Sequence, residues 1–277
     1  MALIESRSGR IFVETGGSGE PILLIPGLGM DHTYYRFTTP ILSRFFEVHT
    51  ADPCGIGQSD KKSPYSVESW AADFADVIEN MGRGPMHIVG SSLGGGTALA
   101  LAESRPDLVR SLIVVGGFSE LDRAAALNFS LRARLIRKLG MCDEVADYMG
   151  LWTLTREFIN SDEGFAQMKA NQENIRRNSA EQYLAFVEAL LAWGRCQEGQ
   201  ENEPKFTTRL PNIKAPTLVL TSDNDHLIPS DISKIVADNI PGAKFQEMRG
   251  YGHILFVEHP RETCEIIKGF IDGLPKQ

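Results

Sequence analysis

Short apolar runs alternate with stretches of helical periodicity through the first 118 residues, and the alternation resumes after residue 205. Strands are expected at Arg10–Thr15, Pro21–Pro26, Glu47–Asp52, His87–Gly90, Val109–Gly116, Pro216–Ser222 and Lys244–Met248. Several of these runs are apolar throughout rather than alternating. That marks strands buried on both faces, as in a parallel sheet covered by helices. Between them the pattern predicts helices at His32–Arg44, Tyr65–Met81 (with Ser66 as N-cap), the stretch after Ser92, Ser230–Asn239 and about Leu255–Asp272. Residues 119–205 carry no convincing strand. They read as five helices, Leu121–Leu139, Asp143–Leu151, Thr155–Ile159, Asp162–Arg177 and Ala180–Trp193, closed by the polar stretch Gln197–Pro204, an exposed linker. The expectation is an α/β core formed by 1–118 and 206–277, interrupted by an all-helical cap at 119–205.

One junction in this pattern carries chemistry. Gly90-Ser-Ser-Leu-Gly94 stands between an apolar strand and an alanine-rich helix, which is strand, sharp turn, helix. A G-x-S-x-G turn of this kind exposes its central serine, here Ser92, at the top of a sheet. The alternative is a glycine turn whose serine merely caps a helix; the strand–helix context weighs against it. A serine hydroxyl needs a base, and the base needs a group to orient it. Of six histidines, His253 follows the last strand and precedes the last helix, in a loop at the same sheet edge as Ser92. His226 is its rival. For the orienting acid, Asp225 lies in the loop after the strand at 216–222, with Asp223 as the alternative; both could instead be turn aspartates. An acyl-transfer intermediate also needs two N–H donors for its oxyanion. The amide of Leu93, just after the serine, and that of Leu28, between Gly27 and Gly29, are the candidates.

These residues resemble the α/β-hydrolase fold superfamily over nearly the whole chain. Asp52-Pro-Cys-Gly-Ile-Gly-Gln-Ser59 is similar to the family's D-x-R-G-x-G-x-S loop, with Cys54 where a basic residue is usual; Cys54 is read as a loop substitution, not a second nucleophile. Arg105-Pro106 resembles the segment after the nucleophile helix. Pro216-Thr-Leu-Val, Asp225 with Pro229, and Gly252-His253 with Glu258 and Pro260 resemble later landmarks. Pro26 departs from the histidine that often precedes the oxyanion glycine. Within the superfamily, the helical insert resembles those of small catabolic hydrolases such as 3-oxoadipate enol-lactonases and aminoacrylate hydrolases. The resemblance implies a serine hydrolase of a small ester, lactone or related acyl compound, working without cofactor or metal. A C–C bond hydrolase of vinylogous diketones, an acyltransferase and a slow-turnover ligand receptor share the same layout. A serine in the nucleophile position disfavours a dehalogenase, which needs a carboxylate there.

Composition narrows the partners. The formal charge of −8 disfavours nucleic acid, anionic membrane surfaces and, mildly, highly anionic substrates. No apolar run suits a signal peptide or a membrane span. The four cysteines, Cys54, Cys142, Cys196 and Cys264, are scattered, which suits reduced thiols in a cytoplasmic protein better than a disulfide or metal framework. A small-molecule substrate and a monomer or homodimer are expected. Phe118, Trp152 and Trp193 are the aromatic candidates for pocket walls, although aromatics in helical inserts are more often core.

Overall fold

The structure, a computed structural model, describes residues 1–195, 200 and 203–275. Cys196 and most of the polar stretch at 197–204 therefore lie outside the described residues. Eight strands form one sheet: β1 (Ala2–Ser6), β2 (Gly9–Gly17), β3 (Glu20–Ile25), β4 (Phe46–Ala51), β5 (Met86–Ser91), β6 (Val109–Val115), β7 (Thr217–Ser222) and β8 (Lys244–Met248). Their spatial order is β1-β2-β4-β3-β5-β6-β7-β8. β1 pairs with β2, and β2 with β4, antiparallel; every later pairing is parallel. The apolar runs occupy the middle. Every residue of β5 and β7 is buried.

Helices cover both faces. They are α1 (Thr39–Leu42), α2 (Val67–Met81), α3 (Leu93–Ser104), then α4 (Arg123–Leu139), α5 (Asp143–Thr153), α6 (Arg156–Ile159), α7 (Asp162–Arg176) and α8 (Ala180–Trp193), and finally α9 (Ser230–Asn239), α10 (Leu255–Glu258) and α11 (Pro260–Asp272). Helices α4–α8 all fall between β6 and β7, so a helical insertion interrupts the sheet as the pattern predicts, in the α/β-hydrolase architecture that the resemblance implies. Local signals start the helices where they stand. Ser66 accepts from the Ser69 amide while the Ser69 hydroxyl accepts from the Ser66 amide, closing the start of α2.

Three elements differ from the pattern. The helix expected over His32–Arg44 is a 3-10 turn at His32–Tyr35 followed by α1, because Pro40 sits in the first turn of α1 and cannot continue a helix from before it. The terminal helix is likewise divided into α10 and α11 by Pro260. The pattern predicts no strand at β1: its residues are largely exposed and offer little apolar alternation, and hairpin pairing with β2 makes it a strand. A further 3-10 segment covers Phe206–Asn212 ahead of β7.

Candidate active site

Ser92 occupies the turn between β5 and α3 with φ 53 and ψ −119, outside the regions an L-residue normally adopts. Neighbours hold it there. Its amide donates to Val115 O at 2.8 Å, and its carbonyl accepts from Gly95 at 2.8 Å as α3 begins. The turn tolerates no Cβ on either side. One added at Gly90 would fall inside 3.0 Å of the Gly94 carbonyl, and one added at Gly94 inside 3.0 Å of the Ile25 and Pro26 carbonyl oxygens. The glycines of the pentapeptide thus let a strained turn pack against the end of β3. Strain of this type is of order 1–3 kcal/mol and persists only where packing enforces it.

The loop after β7 supplies Asp225 and the loop after β8 supplies His253. Asp225 Oδ1 accepts from the amides of Leu227 at 2.9 Å and Ile228 at 2.8 Å. Its other oxygen, Oδ2, meets His253 Nδ1 at 2.6 Å, with both side chains almost fully buried. Ser222 Oγ donates to Gly252 O at 2.7 Å, and the His253 amide donates to Thr153 O at the end of α5 at 2.9 Å. Glu258, also buried, accepts from Gly252 N at 2.6 Å and from Thr155 N at 2.6 Å, tying the histidine loop to the inserted helices. Asp223 is exposed and accepts from Gly250 N at 2.6 Å. His226 is exposed. The geometry therefore pairs His253 with Asp225, not with Asp223.

A cavity of about 650 Å³, open mouth included, lies between the sheet loops and the insertion; Ser92, His253 and Leu28 line it together with residues of α4, α5, α7 and α8. The Ser92 hydroxyl makes no hydrogen bond to another described residue. Nor does the Leu28 amide, and the Leu93 amide, first in α3, has no intrahelical acceptor. Tyr34 closes the floor, its hydroxyl 3.2 Å from Ser91 Oγ, and burial pushes its phenol well above the usual range.

The three expected aromatic walls are elsewhere. Phe118 is fully buried in the core, and Trp193 lies against Gly96 and Phe206 with its indole N–H on Phe118 O at 3.2 Å. Trp152 is 39% exposed on the outer face of α5. None lines the cavity beside Ser92; the side chains that the insertion turns inward there include Phe129, Arg132, Met149, Met168 and Asn171. Arg132 was legible in principle. It falls on the same helical face as Phe129 and Ile136, a charge in a core position. Cys54 is buried, its Sγ directed at Asp60 O at 3.3 Å, and burial raises its thiol pKa, as suits an inert packing role.

Among the described residues one group could offer a cation three ligands: Asp31, His32 and Asp52. One oxygen of Asp31 and both oxygens of Asp52 are already engaged. Asp31 Oδ1 accepts from Thr33 N and Asn174 Nδ2, each at 2.9 Å, while Asp52 accepts from the amides of His32 at 2.7 Å and Gln58 at 2.8 Å. This arrangement stitches loops together.

Comparison with known proteins matches this picture. A family profile described as alpha/beta hydrolase fold matches residues 20–260. A protein of Azorhizobium caulinodans, provisionally named carbamate hydrolase RutD, is 28% identical over 268 residues, covering 94% of both chains. A proline iminopeptidase of Lactobacillus crispatus is 26% identical, covering 91% of this chain and 89% of its own. Among solved structures, the enol-lactonase of Burkholderia xenovorans LB400 superposes with a TM-score of 0.85 at 20% identity, covering 98% of this chain and all of its own. A thermophilic esterase of Thermogutta terrifontis gives 0.83 at 23% identity, covering 98% and 97%. At such identities the superpositions speak for the fold alone. With the profile spanning most of the chain, from β3 to the first residue of α11, the protein belongs to the α/β-hydrolase fold family.

Proposed function

We propose that this hydrolase is a serine hydrolase of a small ester, lactone or related acyl compound, with Ser92 as nucleophile, His253 as base and Asp225 as its orienting acid. The observation that carries the reading is the buried 2.6 Å contact between His253 Nδ1 and Asp225 Oδ2, at the wall of the cavity that also holds Ser92. With Nδ1–H committed to the carboxylate, Nε2 of the neutral ring is left as an acceptor. Ser92 Oγ attacks the acyl carbon as Nε2 takes its proton. The carbonyl π pair moves to oxygen, and the amides of Leu28 and Leu93 receive that charge. Collapse expels the leaving group, which takes the proton from Nε2. Water then attacks the acyl-serine along the reverse path and releases the acid. The carbamate, iminopeptide and ester or lactone substrates named for its relatives share an acyl carbon open to the same attack. Helices α4–α8 act as the cap that shapes the pocket.

Incubation with a fluorophosphonate, followed by intact mass and peptide mapping, tests this. One adduct on Ser92, absent from Ser92→Ala, is expected. A folded protein that stays unlabelled, or that is labelled elsewhere, overturns the assignment.

A further inference from the structure

The cavity beside Ser92 holds a buried cation without an anion. Arg132 on α4 is 4% exposed and lines the cavity. Its partners are neutral: Tyr183 Oη at 3.2 Å and Asn128 Oδ1 at 3.2 Å. Tyr183 Oη in turn donates to the Met149 sulfur at 3.7 Å. Nε of Arg132 has no partner, and among the described residues no ion pair reaches this guanidinium.

The surrounding groups also lack acceptors. Asn171, on the cavity wall, takes an Arg36 N–H on its Oδ1 at 3.0 Å, so its amide NH2 is the end left over, buried and unpaired. Asn128 Nδ2 is unpaired in the same way. The acids nearby are committed: Asp147 receives Lys169 Nζ at 2.6 Å and Gln172 Nε2 at 2.9 Å, and Asp225 receives His253. Uncompensated buried charge is costly, and a guanidinium stays charged when buried. Unpaired donors on two cavity-lining residues, Arg132 and Asn171, are complementary to an anion.

We propose that the substrate carries a carboxylate and that Arg132, with Asn171, receives it while Ser92 attacks the acyl carbon. This deepens the serine-hydrolase reading and rests on it for the attack, though not for the binding. The planar fork of Arg132, with Nε–H uncommitted, matches a carboxylate. The overall charge of −8 does not oppose this: exposed charges are screened over about 8 Å at physiological salt, whereas a buried guanidinium acts at contact.

Two arms test the proposal. In the first, kcat/KM is compared for para-nitrophenyl hemiglutarate and para-nitrophenyl pentanoate, which differ by carboxylate against methyl at the chain end. The wild type is expected to favour the hemiglutarate by at least about tenfold, Arg132→Gln to lose that ratio through KM, and Arg132→Lys to keep part of it. A wild-type ratio near one overturns the proposal. In the second arm, the melting temperature of Ser92→Ala is followed against glutarate and against inorganic phosphate. A rise with glutarate that disappears on adding Arg132→Gln supports the site even if no ester turns over, in which case the nucleophile assignment alone fails. No rise with glutarate, or a rise with phosphate only, overturns the carboxylate while leaving Ser92 labelling untouched.

Discussion

Asp225→Asn is the most searching perturbation of the proposed triad, because the hydrogen bonds around this side chain dictate how an amide must sit. Oδ1 accepts two backbone N–H groups, from Leu227 at 2.9 Å and Ile228 at 2.8 Å. An asparagine that keeps its oxygen there keeps both bonds. Its NH2 must then face His253 Nδ1, which has to become the acceptor, so the ring proton moves to Nε2. Nε2 can then no longer take the proton of Ser92. The opposite amide orientation restores the tautomer, but it sets an NH2 against two N–H donors and forfeits two hydrogen bonds, about 1 kcal/mol each plus desolvation of the stranded amides. The inactive tautomer is therefore the stable one. Loss of the base in this way costs about 10⁴-fold in kcat in other triads, about 5.5 kcal/mol of barrier. Steady-state hydrolysis of para-nitrophenyl acetate, with Ser92→Ala as the floor and thermal melting as the fold control, reads it directly. Asp223→Asn, whose side chain touches only Gly250 N, should stay within a few-fold of wild type. Asp225→Asn activity within tenfold of wild type, or a larger loss at Asp223, would refute the argument.

Other expectations follow from particular contacts. Gly94→Ala drives a methyl group into the carbonyls of Ile25 and Pro26, which are backbone and cannot rotate away; a loss of more than about 3 kcal/mol in urea unfolding, or failure to fold, is expected, and near-wild-type stability would contradict the packing. Glu258→Gln must present an NH2 to one of the backbone donors, Gly252 N or Thr155 N, so the melting temperature should fall by about 2–5 °C; an unchanged value would mean the carboxylate is not bridging the two segments. His32 has its pKa raised by the hydrogen bond to Asp52, so the folded state holds that proton more tightly than the unfolded chain does. Its stabilisation is complete below the unfolded value of about 6.5 and is lost as pH rises through the raised folded value; wild type minus His32→Gln stability should shrink as pH rises above about 6.5, and a flat difference would reject the linkage.

Much of this architecture was legible from the chain. The unbroken apolar runs point to buried parallel strands because they are too short and too rich in β-branched residues for a buried helix, and their alternation with helical periodicity gives the order of layers. The strand, G-x-S-x-G and helix sequence placed Ser92 on its turn because Cβ atoms at 90 and 94 have nowhere to go. Chain order further placed an aspartate and a histidine after later strands. Local signals could not choose between Asp223 and Asp225: both are loop aspartates, and the choice depends on which carboxylate the β8 loop approaches. Nor could periodicity say which inserted side chains face the cavity. Phe118 and Trp193 are as apolar as any wall residue, yet they fill the core. Arg132, polar and on a helix, becomes a cavity cation only because α4 packs against α5 and α8 and shuts it away from water. Sequence determines what a segment buries, through spacing that acts within a few residues. What it is buried against, and so which charges end up without partners, is decided by contacts between segments far apart in the chain, and only the folded arrangement holds that information.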